Sequence, residues 1–156
     1  MRDLNVLLEQ AMTLSRAGSL DASIGAYREI LRERPFWALA HNNLGTVLER
    51  RGRTDEALEA YREAVEISPG FSLAWTNLGT LLLRQKRTRE AIEALTRAVE
   101  NEPDRFSAHL TLGVALSEIG LDRIAWEHKA EAVRLNPDSA TAHYNLGITL
   151  CALDRE

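Results

Sequence analysis

The chain has 156 residues, of which 45% are hydrophobic and 27% charged, and its formal net charge is −4. This composition is typical of a folded domain or repeat array, and the slightly acidic balance argues against binding to nucleic acid or to an anionic membrane. No apolar stretch reaches the length of a membrane span, one cysteine excludes an internal disulfide, and we expect a cytoplasmic protein.

Four prolines divide the chain at a constant interval of 34 residues. They are Pro35, Pro69, Pro103 and Pro137. Proline ends helices and disfavours helical geometry in the preceding residue, so each proline marks the end of one repeating unit. The same interval separates a leucine–glycine column and two alanine columns: Leu44, Leu78, Leu112 and Leu146; Gly45, Gly79, Gly113 and Gly147; Ala57, Ala91 and Ala125; Ala64, Ala98 and Ala132.

Each unit is predicted to be a helix, a short turn and a second helix. The array fills residues 1–156, with repeats at 4–37, 38–71, 72–105 and 106–139 and a lone first helix at 140–156. The turns fall at Gly18, Gly52, Lys86 and Gly120, and Thr54, Thr88 and Asp122 are predicted N-caps of second helices. No segment alternates with a period of two, so the sequence predicts no strands.

The mid-helix glycines call for a physical reason, because glycine inside a helix costs about 1 kcal/mol relative to alanine. We expect that the two helices of each hairpin approach closely at these glycines.

These columns resemble the tetratricopeptide repeat family. The third unit carries the pattern in the order Trp75-x-x-Leu78-Gly79-x-x-Leu82, Ala91-x-x-x-Leu95, Ala98, Pro103. The first unit departs from it with Gln10 and Ala11 in place of leucine and glycine. The resemblance implies an all-α solenoid of tandem helix-turn-helix repeats, wound as a right-handed superhelix whose first helices line a concave groove.

The fourth unit has Lys129 where the family usually has an aromatic residue. We expect the lysine stem to cover apolar surface while its ammonium group reaches water. Trp126 enlarges the neighbouring position, and the unit is expected to be a weak point in stability.

No catalytic, cofactor or metal motif is found. His41, His109 and His143 share one column and are predicted to pack between repeats, a whole repeat apart and too far to share a metal. His128 is predicted to be an exposed helix residue. The chain is therefore not expected to be an enzyme, and we expect no cofactor and no metal.

The resemblance places candidate partner-binding residues on the groove face of the first helices. They are Asn42, Asn43, Thr46, Arg50, Thr76, Asn77, Thr80, Arg84, Thr111, Tyr144 and Asn145. Asn43, Asn77 and Asn145 share a column with Thr111, and an amide there can pair with a peptide backbone. This column looks like the asparagine ladder in the repeat domain of O-linked N-acetylglucosamine transferases. The alternative is that these asparagines only order the groove with water.

The leading hypothesis is a protein–protein interaction module that holds a peptide or a helix of a partner in this groove. The alternative is a substrate-recruiting domain of a larger enzyme such as a glycosyltransferase. A carboxylate clamp for acidic tails is rejected, because its cations are missing. The clamp positions hold Leu8, Met12, Leu73 and Asn77, or, one repeat later, Asn42, Thr46, Ser107 and Thr111.

The last helix also carries a pattern of its own. Its stripe of Leu146, Leu150 and Leu153 is expected to lie bare, which favours self-association through this helix. The same pattern suggests an excerpt of a longer array.

Overall fold

A computed structural model describes residues 3–154 of the chain, and all regular structure in that range is helical. The helices are α1 Leu4–Arg16, α2 Leu20–Glu33, α3 Ala38–Arg50, α4 Thr54–Ile67, α5 Ser72–Arg84, α6 Thr88–Asn101, α7 Phe106–Glu118, α8 Asp122–Leu135 and α9 Ala140–Leu153. The odd-numbered helices are the first helices of their repeats and the even-numbered ones are the second. The fold is an all-α solenoid of helical repeats, as the 34-residue period predicts.

The chain forms two compact units, Met1–Ala74 and Trp75–Glu156. In the first unit α1 packs on α2, α2 on α3 and α3 on α4. In the second unit α6 packs on α7, α7 on α8 and α8 on α9. Within each unit these helices thus pack on their neighbours in sequence, which is the behaviour of a repeat array.

Alanine columns are fully buried in both units. Members of three alanine columns have no solvent-exposed surface at all: Ala40, Ala74, Ala108 and Ala142; Ala57, Ala91 and Ala125; Ala64, Ala98 and Ala132. Larger apolar side chains fill the space around them, with Tyr27, Tyr61, Leu81 and Leu95 among the largest that are fully buried.

The turns inside the hairpins lie where the sequence predicts them. Gly18, Gly52 and Gly120 have positive φ angles of 81°, 83° and 75°, and Lys86 has a φ of 60°. This left-handed conformation favours glycine, which explains why three of the four turns use it.

The predicted N-caps are wrong by one residue. Arg53, Arg87 and Leu121 occupy the cap positions of α4, α6 and α8, and none of them makes a side-chain capping bond. Thr54 and Thr88 are instead the first helical residues. Arg53 and Arg87 each form an ion pair with the glutamate three residues later, so acidic side chains still gather at these helix starts.

Among residues 3–154, no helix is long and apolar enough to cross a bilayer.

Candidate functional site

The mid-helix glycines fix which face of each first helix turns towards its hairpin partner. A Cβ on Gly45 would lie 2.7 Å from the Tyr61 ring, and one on Gly113 would lie 2.6 Å from Cγ of Lys129. A Cβ on Gly79 would lie 2.6 Å from Cγ of Leu95. Such distances are too short for real contacts, so close packing is confirmed for three of the four glycines. At Gly147 an added Cβ would meet nothing within 4 Å.

The predicted groove residues differ in exposure, and two of them are not accessible. Thr46, Arg50, Arg84 and Tyr144 are exposed, whereas Asn43, Asn77, Thr80, Thr111 and Asn145 are half-buried. Asn42 is only 2% exposed and Thr76 only 4%. The prediction that Asn42 and Thr76 contact a partner is therefore wrong, because neighbouring side chains already cover them.

The asparagine column is partly engaged within the protein. Asn43 is hydrogen-bonded to the hydroxyl of Tyr27, and it accepts a bond from the Asn42 amide at 3.3 Å. Burial raises the pKa of Tyr27, and the bond to Asn43 opposes that rise. In α9, the Asn145 amide donates to the carbonyl of Thr141 at 2.9 Å. Since an amide has two N–H donors and one acceptor oxygen, Asn145 keeps capacity for a ligand.

The threonines of the same faces bond back into their own helices. The hydroxyls of Thr46, Thr80 and Thr111 donate to the carbonyl four residues earlier, at 3.2, 2.8 and 2.8 Å. A hydroxyl that donates in this way can still accept bonds. These side chains therefore present acceptor oxygens on the first helices.

Arg50 is held by a neighbouring first helix. Its Nη1 donates to the Ser15 carbonyl at 3.0 Å and to the Ser15 hydroxyl at 2.8 Å. The guanidinium is thereby fixed in position at the exposed end of α3, with other N–H donors left for a ligand.

Lys129 lies in an environment that the sequence did not suggest. It is only 3% exposed, and its ammonium donates to the Ser117 hydroxyl at 2.8 Å and to the Thr149 hydroxyl at 2.6 Å. The expectation that this ammonium reaches water is wrong. Trp126, which the sequence places beside it, is 39% exposed. Burial lowers the pKa of Lys129, and the more distant carboxylate of Asp122 opposes this.

The histidine column has a role in the turns between repeats. In His41, His109 and His143, Nε2 lies 2.8 Å from the carbonyl of the proline six residues earlier. A carbonyl only accepts, so each Nε2 carries a proton. These bonds tie each inter-repeat turn to the next first helix, which refines the predicted packing role.

Comparing residues within one 34-residue column did not predict the surroundings of His128. It is half-buried rather than exposed, and its Nδ1 lies 3.1 Å from Nδ1 of His109 on the neighbouring helix. Burial, followed by the nearby His109, lowers the pKa of His128. In residues 3–154 no three His, Cys, Asp or Glu side chains are grouped closely enough to hold a metal ion as they stand.

The last helix is exposed on one side, although not along the predicted stripe alone. Tyr144 is 70% exposed, and Ile148 and Leu150 are also exposed, whereas Leu146 and Leu153 are half-buried. Tyr144, Gly147, Ile148 and Cys151 line an open depression of about 520 Å³. Self-association through this helix stays a prediction.

Solved structures of similar fold include several repeat proteins. YrrB, described as a TPR protein with an unusual peptide-binding site, is 24% identical with a TM-score of 0.82, over 97% of this chain and 78% of YrrB. MamA from Desulfovibrio magneticus RS-1 is 21% identical with a TM-score of 0.86, over 97% and 85%. The first TPR domain of Spaghetti (RPAP3), solved with the HSP90 peptide SRMEEVD, is 22% identical with a TM-score of 0.73, over 75% and 93%.

These identities show the fold alone. Among curated protein sequences, none matches the chain significantly. Two family models do match, both described as tetratricopeptide repeat, one over residues 8–70 and the other over residues 48–119. Together they span more than two thirds of the chain. The chain therefore belongs to the tetratricopeptide repeat family.

Proposed function

We propose that this chain is a protein-interaction module that binds an extended peptide segment along the exposed faces of its first helices. The observation that carries the proposal is the division of α3, α5 and α7 into two faces. The glycine face packs on the second helix, as at Gly45 and Gly113. Threonines and asparagines recur elsewhere on the first helices, as at Thr46, Thr111 and Asn145.

The chemistry of these side chains suits a peptide backbone. An extended backbone offers one N–H and one C=O per residue, and amides and hydroxyls can accept from the first and donate to the second. Each such bond contributes about 0.5–1.5 kcal/mol net. Several of them would give useful affinity without requiring a particular peptide sequence.

Two structural neighbours support a peptide ligand, since YrrB and the Spaghetti domain are both described with peptides. The Spaghetti ligand SRMEEVD is acidic. A carboxylate clamp for such a tail would need cations at positions that hold Leu8, Met12 and Leu73 in this chain. We therefore propose that recognition runs through the peptide backbone rather than through a charged end.

The test begins with a display library of random 12- to 16-residue peptides, selected on the immobilised full chain. The affinity of a selected peptide is then measured by fluorescence anisotropy. Asn145→Ala combined with Thr111→Ala should weaken binding about tenfold or more, because losing two bonds costs about 1–3 kcal/mol. Asn43 is left intact, since it lies beside the hydroxyl of the buried Tyr27.

The chain supplies a matched control on a second helix. Asn101 on α6 donates to the carbonyl of Arg97 at 2.7 Å, which is the same local bond that Asn145 makes to Thr141. Asn101→Ala should therefore have the same effect on its helix and none on peptide affinity. If Asn101→Ala weakens binding and the Asn145 and Thr111 variant does not, the peptide lies on the second helices and the proposal is wrong.

A further inference from the structure

Two imidazole rings meet across the hairpin of α7 and α8. Nδ1 of His109 and Nδ1 of His128 are 3.1 Å apart, and the ring centroids are separated by 5.2 Å with a tilt of 41°. His109 is buried and His128 is half-buried, so the pair has a buried side and a side that solvent can reach.

The proton positions follow from one neighbouring bond. Nε2 of His109 donates to the Pro103 carbonyl at 2.8 Å, so in the neutral ring Nδ1 of His109 carries the lone pair. That lone pair points to His128, whose Nδ1 must donate the proton between the rings. Histidines that bind metals usually donate their other N–H to a carbonyl or carboxylate, which fixes the ring and its tautomer. His109 already has this arrangement.

The spacing of the two nitrogens also suits a metal ion. Zinc bound to imidazole has Zn–N distances of about 2.0–2.1 Å in tetrahedral geometry, which places two ligand nitrogens about 3.3 Å apart. The observed 3.1 Å needs to widen by only a few tenths of an ångström. A turn of the half-buried His128 ring would supply that change, with its proton moving to Nε2.

We propose that His109 and His128 bind one divalent transition-metal ion of the zinc type through their Nδ1 atoms. The ion takes the place of the proton that the two rings share, and it clips α8 to α7. Imidazole is a good ligand for zinc, copper and nickel, and affinity for a given site is normally highest for copper. Water fills the remaining coordination positions.

The proposed site is confined to the fourth repeat. His41 makes the same proline bond as His109, but the position that matches His128 holds Ala60 in that repeat and Ala94 in the next. Alanine is thus accommodated at this place in the fold, and His128→Ala should leave the hairpin intact. Circular dichroism on the variant checks this.

The test is calorimetric titration of the full chain with zinc chloride near pH 7.5. All proteins carry Cys151→Ser, because the exposed thiol of Cys151 is itself a zinc ligand. We expect one ion per chain, affinity at least tenfold weaker in His128→Ala, and unchanged affinity in His41→Ala and His143→Ala.

Three results would overturn the proposal. They are no saturable zinc binding by the parent chain, equal affinity in a folded His128→Ala variant, and an equal loss in His41→Ala or His143→Ala, which would indicate adventitious binding by surface histidines.

Discussion

The hairpin of α3 and α4 and the hairpin of α7 and α8 solve the same packing problem with different chemistry. In the first, the Tyr61 ring covers Gly45, and its hydroxyl contacts Thr46 at 3.2 Å and donates to the Glu49 carboxylate at 3.0 Å. In the second, Lys129 covers Gly113, and its ammonium donates to two neutral hydroxyls. One backbone geometry thus accepts either a phenol paired with a carboxylate or a buried cation among hydroxyls.

The two hairpins differ at the position whose side chain bonds to Tyr61 in one and to Lys129 in the other. Glu49 and Ser117 stand in the same 34-residue column, so the hairpin with the cation has lost the carboxylate that would balance it. A buried charge without an opposite charge is costly. The repeat geometry therefore accommodates a polar side chain at this position, and we expect the buried cation to lower stability.

The largest expected effect comes from filling the space that the missing side chain leaves at Gly45 or Gly113, called the glycine notch below. Gly45→Ala should destabilise the chain by about 1–3 kcal/mol, because the new methyl group would overlap the Tyr61 ring. Gly113→Ala should cost less, since the lysine stem is more flexible than a ring, although the Ala125 carbonyl at 3.1 Å also resists. Urea denaturation measures both.

Gly147→Ala is the matched control for the glycine variants. No atom lies within 4 Å of its added methyl group, so the helix propensity of alanine should give a gain of up to about 1 kcal/mol. If Gly147→Ala lost as much stability as Gly45→Ala, the close contact at the notch would not be the cause of the destabilisation.

The next effect concerns the buried cation. Lys129→Met should raise the free energy of unfolding by about 1–3 kcal/mol, because it replaces a desolvated charge by an apolar chain of similar volume. Thr149 keeps its bond to the Asn145 carbonyl, so its hydroxyl stays paired. A large loss of stability in urea would mean that the hydroxyl bonds outweigh the cost of burying the charge.

The same variant has a pH signature. Burial lowers the pKa of Lys129 in the folded state, so the unfolded chain binds more protons between the folded pKa and the ordinary lysine pKa. Stability of the parent chain relative to Lys129→Met should rise with pH across that window. Below the window both states are charged and the advantage of methionine should be largest. A difference that is constant up to pH 10 would contradict the assignment.

A smaller gain is expected from restoring the missing carboxylate. Ser117→Glu places an acid where Glu49 stands in the other hairpin, and an ion pair with Lys129 should stabilise the fold by about 1 kcal/mol. A double-mutant cycle with Lys129→Met separates the pair from other effects of glutamate. A coupling energy near zero would show that the two side chains do not meet.

The smallest effect is expected from Tyr61→Phe. The ring still fills the notch over Gly45, while the hydroxyl contacts, among them those to Thr46 and Glu49, are lost, which costs about 0.5–1.5 kcal/mol. A loss similar to that of Gly45→Ala would mean that the hydroxyl, rather than the ring, is what the hairpin requires.

The repeat fold could be predicted from sequence because its determinants are local and periodic. Proline, glycine and alanine act through backbone geometry and size, and their spacing alone places the helices and the close contacts. The buried state of Lys129 could not be predicted in this way, because it depends on hydroxyls 12 residues before it and 20 residues after it. His128 was missed because the partner of a histidine was sought a whole repeat away rather than across the hairpin.

The candidate site could be predicted only in part. Asn42 and Thr76 were assigned to the groove by their position beside Asn43 and Asn77, yet they are buried. The sequence did contain a sign of this burial. Leu8 and Leu110 occupy the same 34-residue column as Asn42 and Thr76, and apolar residues in a column indicate that it faces inward. A half-buried column such as that of Asn145 gives no such signal, because exposure there depends on neighbouring helices.

The hydrogen bonds of His41, His109 and His143 to the proline carbonyl six residues earlier matter when repeats are exchanged between arrays. The bond spans six residues and crosses the boundary at which repeats are usually counted, as between Pro35 and His41. A cassette cut at the proline would separate donor from acceptor and leave the junction to be rebuilt in each fusion. A cut at Gly52 or Gly120, in the turn inside a hairpin, would keep the proline and the histidine in one fragment. The unit best exchanged between arrays therefore begins with a second helix.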